Sequence, residues 1–210
     1  PKGSVLGIDK SEDRIRLARE HFPAGPFPNL VFQIGDIRDL ALKGEFDTVF
    51  SNAVLHWIRD QVPLLRRIRQ GLKQGGAMFA QMGGKGNAAG ILEVVERIIT
   101  RKRWRPYFTD FSVPYTFYDV AEYEGILRTA GFRVIRIEAA SRMMFHAGKD
   151  GLASWVATTW LYYTGRVPKE IRSIFIEMVA EEYIGQQGLS DNDTIPVAMV
   201  RIEFEAMSAP

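Results

Sequence analysis

The chain has 210 residues, with 27 Lys and Arg against 25 Asp and Glu, three histidines and no cysteine. That length buries one substantial core and suits one domain with an elaboration better than two full domains. Interspersed, nearly balanced charge argues against nucleic acid or an anionic membrane as main partner, and the missing cysteines exclude disulfides, thiolate metal sites and thiol nucleophiles. His21, His56 and His146 stand far apart, so no metal site is expected. No apolar run approaches the ~20 residues of a membrane span and no signal-peptide pattern opens the chain, so the expectation is a cytoplasmic protein.

Val5-Leu6-Gly7-Ile8 reads as a short buried strand ending on Asp9. Ser11 offers an N-cap, with Glu12 and Asp13 in the first turn. Ile15, Ala18 and Phe22 follow at helical spacing, until Pro23 stops the helix. Leu30–Ile34 is a second strand, ending at Gly35-Asp36. Thr48-Val49-Phe50 reads as a third, fully buried strand. It breaks into the small, polar Ser51-Asn52-Ala53 and then the bulky Leu55-His56-Trp57. A helix from about Asp60 to Leu72 turns Leu65, Ile68 and Leu72 inward, and Gly75-Gly76 ends it. Ala77–Met82 is a fourth strand, opening into Gly83-Gly84-Lys85-Gly86-Asn87. Strands alternating with helices in this way imply a mostly parallel sheet with right-handed crossovers.

The second half has a different texture. Residues 88–103 form a helix, Trp104–Tyr118 is aromatic and irregular, and Glu122–Ala130 is a short helix. Phe132–Glu138 and Met199–Glu205 each alternate apolar and charged residues, which predicts two strands, paired antiparallel. Helical segments near 151–163 and 168–184 lie between them. The expected layout is an α/β core over 1–138 and 197–210, with a helical insertion over 139–196 that covers the site and sets substrate choice.

Three strand ends can carry chemistry. Asp9 can accept both hydroxyls of a nucleoside ribose, although a turn aspartate gives the same pattern. Asp36-Ile37 can accept from an adenine amino group while the aliphatic side chain covers a ring face, or it is a plain strand-end turn. Ser51-Asn52-Ala53 lets a ligand, or a packing neighbour, approach closely. Their order is more specific than any one of them.

That order resembles the class I S-adenosylmethionine-dependent methyltransferases, in the trans-aconitate methyltransferase-like branch. The resemblance runs through Leu6-Gly7-Ile8-Asp9-Lys10-Ser11, Gly35-Asp36-Ile37, Phe46 to Trp57, Leu72 to Gly76 and Leu127 to Phe132. It implies a Rossmann-like, mostly parallel sheet of order 3-2-1-4-5-7-6, with helices on both faces and an antiparallel C-terminal strand. It also implies S-adenosylmethionine as cofactor, held by Asp9, Lys10, Asp36, Ile37, Ser51, Asn52 and Ala53, with His56 at the reaction centre. Trp57, Gly83 and Tyr107 would meet a small-molecule substrate, a carboxylate being one class that fits. The family's first strand and glycine-rich loop precede its acid-ended second strand, whereas Pro1 stands directly before that strand here. Gly83-Gly84-Lys85-Gly86 follows the wrong strand to replace that loop.

Methyl transfer from a sulfonium needs alignment and a dry site more than acid-base machinery. His56 is the best-placed titratable group, as a base or as a packing histidine. Trp155, Trp160, Tyr162 and Tyr163 would cover a substrate or fill a helical core, and Arg105, Arg142 and Lys85 would meet an anion or water. A nicotinamide-dependent dehydrogenase also places an acid like Asp9 after its second strand, and a non-catalytic nucleotide-binding module is a further alternative.

Overall fold

The computed structural model describes residues 3–188 and 192–209. Residues 1, 2 and 210 of the expected core and 189–191 of the expected insertion lie outside the described residues. The chain opens with β1 (Val5–Asp9), α1 (Glu12–His21) and β2 (Leu30–Ile34), a parallel strand pair and its crossover helix. Ser11 caps α1 by accepting the Arg14 N–H at 3.4 Å, and Ile15 is the helix residue buried against the strands.

Next come β3 (Phe46–Asn52), α2 (Gln61–Gly71), β4 (Leu72–Gly83), α3 (Ala89–Ile99), α4 (Val120–Thr129) and β5 (Phe132–Ala147). Then follow α5 (Gly148–Thr159), α6 (Leu161–Thr164), α7 (Lys169–Gln187) and β6 (Thr194–Ser208). Four strands form a sheet of order β3-β4-β6-β5, and among the described residues the strand pairings are parallel except the two made by β6. The ladders β2-β1 and β3-β4-β6-β5 are the implied order interrupted at one place, the position of the family's first strand. Among the described residues, β1 and β3 each keep an edge without a strand partner.

Two hydrophobic cores sit on opposite faces of β6. In its C-terminal half, Ile202, Phe204 and Ala206 are buried with Met78, Ala80 and Met82 of β4. Leu64, Leu65 and Ile68 of α2 and Tyr123 and Leu127 of α4 close over them. Each Leu, Ile, Met or Phe side chain among these contributes roughly 1.5–3 kcal/mol when fully buried. In the N-terminal half the buried residues are Ile195, Val197 and Met199, on the other face, under α3, α5 and α7. The buried face of the strand therefore switches at Val200-Arg201.

Several expectations are corrected. β3 is not fully buried: Phe50 is 73% exposed, because α2 and α4 pack on the face opposite to it. Nor is β1 buried, with Val5 56% exposed and a strand neighbour on one side alone. Gly75-Gly76 does not end a helix. α2 runs straight into β4, and the glycines form an irregularity within that strand. Gly75 takes φ +73°, and a Cβ on Gly76 would lie 3.0 Å from the Lys73 carbonyl oxygen and 3.2 Å from that of Asp47. The antiparallel pair forms as expected but is longer, extending past the end of β4 as a two-stranded ribbon from Ser141↔Val200 to Ala147↔Thr194. The helices α5 to α7 occupy residues between 148 and 187.

Candidate active site

In a parallel α/β ladder, the loops at the carboxyl ends of the strands are free of crossover packing and available to a ligand. Here those ends are Asp9, Gly35-Asp36, Asn52-Ala53 and Gly83. The Gly35 N–H donates to the Asp9 carbonyl at 3.0 Å, and the Ala53 N–H to the Gln81 carbonyl at 2.8 Å, so each loop is tied to its neighbour.

Asp9 accepts the Ser11 N–H at 2.8 Å through Oδ1. Its Oδ2 meets Arg14 at 3.5 Å, on a side chain that is 77% exposed, so this oxygen keeps acceptor capacity for ribose hydroxyls. Lys10 points to solvent. Asp36 accepts the Arg38 N–H and Nε at 2.9 Å each, and Nη2 at 2.5 Å. These bonds hold its carboxyl down at about 2, charged at any physiological pH. Ile37 is half-buried, against the core beneath α2. Ser51 is half-buried and Asn52 exposed, while Ala53 takes φ +55°, a strained conformation for a residue with a Cβ.

Leu55–Trp57 forms one tight 3₁₀ turn, anchored by the buried Leu55. Gln61, buried at the start of α2, donates to the Leu55 carbonyl at 2.7 Å and to that of Ile58. Tyr123 Oη donates back to Gln61 Oε1 at 2.8 Å. The turn therefore rests on a satisfied buried network that fixes the next residue. His56 is buried, and its Nδ1 accepts the Gly83 N–H at 3.2 Å, which leaves the ring proton on Nε2. Burial first, and the Arg201 cation second, push its pKa down to about 4, so the imidazole is neutral.

An aromatic wall rises from this turn. The His56 ring lies 4.8 Å from Trp57 and 5.6 Å from Phe117, and its carbonyl accepts the Thr116 N–H at 2.9 Å. Trp57 stacks on Tyr162 at 5.1 Å, and Tyr115 stacks on Phe117 at 4.6 Å. Tyr115 Oη lies 3.2 Å from Tyr163 Oη. A Cβ on Gly83 would stand 2.5 Å from the Phe117 ring, so glycine is what lets that ring lie over the strand end.

The structure thus brings His56, Trp57 and Gly83 together beside Asn52-Ala53. Tyr107 is apart: it packs against the core of the helical layer, with no hydrogen bond or ring contact to those three. Lys85 pairs with Asp119 at 3.3 Å, and Arg105 and Arg142 are exposed. Sequence reasoning missed two features, Gln61 under the turn and a polar trio on the sheet. In the trio, Gln81 Nε2 donates to Glu203 at 2.6 Å and Arg201 Nη1 donates to Gln81 Oε1 at 2.6 Å. Its signal was available: opposite charges two residues apart in the inner strand β6, where charge costs unless it is used.

A Rossmann-like sheet with an antiparallel C-terminal strand and polar residues at its carboxyl ends is an architecture of nucleotide-cofactor α/β proteins. The profile of the methyltransferase-domain family matches residues 1–110, more than half of the 210-residue chain. The chain belongs to that family, in its class I, S-adenosylmethionine-dependent form. The dehydrogenase reading is thereby set aside. Trans-aconitate 2-methyltransferase of Deinococcus radiodurans is 39% identical over 82 residues, 39% of this chain and 30% of that enzyme. Among solved structures, the Bacillus halodurans protein BH2331 superposes with a TM-score of 0.62 at 13% identity, covering 99% of this chain and 84% of that one. A Haemonchus contortus N-methyltransferase 2, solved with phosphomonomethylethanolamine and S-adenosylhomocysteine, gives a TM-score of 0.54 at 18% identity, over 99% of this chain and 43% of that one. No helix among the described residues is long and apolar enough to cross a membrane.

Proposed function

We propose that this protein transfers a methyl group from S-adenosylmethionine to a small-molecule acid, in the cytoplasm. The observation that carries the reading is the set of strand ends Asp9, Asp36, Asn52-Ala53 and Gly83, with Gly35 bonded to Asp9, Ala53 to Gln81 and Gly83 to His56. The cofactor supplies an activated methyl on a sulfonium, open to in-line displacement. Asp9 takes the ribose hydroxyls on Oδ2, which keeps acceptor capacity beside its 3.5 Å contact with the exposed Arg14, with Lys10 next to it. Asp36 meets the adenine amino group, and Ile37 lies against the ring. Ser51, Asn52 and the strained Ala53 hold the methionine end.

The acceptor enters beside His56, Trp57 and Gly83. An ionised carboxylate needs no base, and His56 is poorly suited to be one: Nδ1 is taken by Gly83 and the ring stays neutral. Its Nε2–H is a donor that orients the acceptor. The aromatic wall and the layer from α5 to α7 exclude water, which strengthens every polar contact inside. Tyr107 contributes to that layer rather than to the acceptor directly. The test is transfer of labelled methyl from S-adenosylmethionine by the full-length protein to a panel of free di- and tricarboxylates. Label appearing in at least one of them supports the reading, and label in none of them contradicts it.

A further inference from the structure

Arg201 sits where β6 changes its buried face. It follows the floor of the helical layer, formed by Ile195, Val197 and Met199, and precedes the core residues Ile202 and Phe204. Odd-numbered residues of a strand share a face. Arg201 therefore lies on the helical-layer side, at the point where that layer stops covering the sheet. In register it stands between Gly83 on β4 and Ala140 on β5, two small residues that leave its flanks open. One strand further, Asn52 pairs with Gln81 and Gln81 with Glu203, so the same face carries a polar row leading to the loop after β3.

The guanidinium is held but not neutralised. Its Nη1 donates to Gln81 Oε1 at 2.6 Å, while Gln81 uses its amide N–H on Glu203. Gln81 thus stands between the cation and the carboxylate and keeps them from pairing. Arg201 forms no ion pair among the described residues, whereas nine other Lys and Arg side chains do. A guanidinium has five N–H donors in a planar fork matched to a carboxylate. Four of these have no partner among the described residues. A half-buried cation with idle donors, aimed along one edge by a neighbouring amide, is an arrangement that an anion completes.

We propose that Arg201, positioned by Gln81, binds the acidic group of the methyl acceptor and sets the enzyme's preference for anionic over neutral substrates. This rests on the methyl-transfer reading above. The fork grips one carboxylate of the acceptor, and Phe117 and His56, around Gly83, bound the space beside it.

The experiment uses the full-length protein loaded with S-adenosylhomocysteine. Free di- and tricarboxylates, trans-aconitate among them, and the corresponding neutral amides are titrated into the parent, Arg201→Gln and Arg201→Lys by calorimetry. The KM and kcat of any acid that is methylated are then compared. The expected result is acid binding by the parent that is lost roughly tenfold or more in Arg201→Gln, as for removal of a bidentate charged contact. Arg201→Lys should lie between, amides should bind weakly to all three, and KM should move more than kcat. S-adenosylhomocysteine affinity should be the same in the three proteins, which also shows that the variants fold. Acid affinity within about twofold of the parent in Arg201→Gln, or equal affinity of the parent for acids and amides, overturns the assignment and leaves methyl transfer standing. Failure of the parent itself to take up S-adenosylhomocysteine overturns the methyl-transfer reading and this assignment with it.

Discussion

His56 accepts the backbone N–H of Gly83 at Nδ1, 3.2 Å away, and so ties the loop after β3 to the end of β4. The bond decides the tautomer. It also makes the ring a fixed wall of the site, since protonating Nδ1 would break it.

The first prediction follows from that bond. With a folded pKa of about 4 against an ordinary 6.5, His56 binds fewer protons folded than unfolded in between. Stability is then full above pH 6.5 and falls as pH drops towards 4, by about 3 kcal/mol at ~1.4 kcal/mol per unit. In His56→Asn the side-chain oxygen can still accept from Gly83, but nothing there titrates. Urea unfolding across this range should show a shallower pH slope for the variant, and parallel slopes would refute the assignment.

Gly83→Ala should destabilise the protein by about 1–3 kcal/mol, the usual cost of overpacking. The new methyl would meet the Phe117 ring at 2.5 Å. Shortening that ring, as Phe117→Leu, should recover part of the loss in the double variant. If the two losses simply add, Phe117 is not what Gly83 accommodates.

The helical layer should be latched to the strand-end loop by the Trp57–Tyr162 stack, at 5.1 Å. A double-mutant cycle with Trp57→Leu and Tyr162→Leu should give a coupling of about 0.5–1.5 kcal/mol in thermal or urea unfolding. A coupling indistinguishable from zero would mean that the layer is held by its own core alone.

Much of this was legible in the sequence for identifiable reasons. Ser11 caps its helix as its type and place demand, and the alternation in 132–138 and 199–205 reports a pair of strands because period-two burial has no other cheap source. The strand-end acids were readable because an acid closing an apolar run is unusual. Less visible were features that depend on a third element. Ala139–Ala147 lacks alternation, since the ribbon changes which face is covered, so its strand looked like part of the insertion. Phe50 reads as core by composition, and only the position of α2 and α4 shows that its face is open. Gln61 and Arg201 look like surface residues of a helix and a strand. Their partners, Leu55 and Gln81, become neighbours only through the fold.

The central claim is that the row of strand ends binds the cofactor, with Asp9 on the ribose. Calorimetric titration of S-adenosylhomocysteine into the full-length protein and into Asp9→Ala tests it most directly. The parent should bind, and the variant should bind at least about tenfold more weakly, the loss of charged-group hydrogen bonds worth roughly 1.5–3 kcal/mol. Equal affinity of the two proteins, or no binding by the parent, would contradict the account.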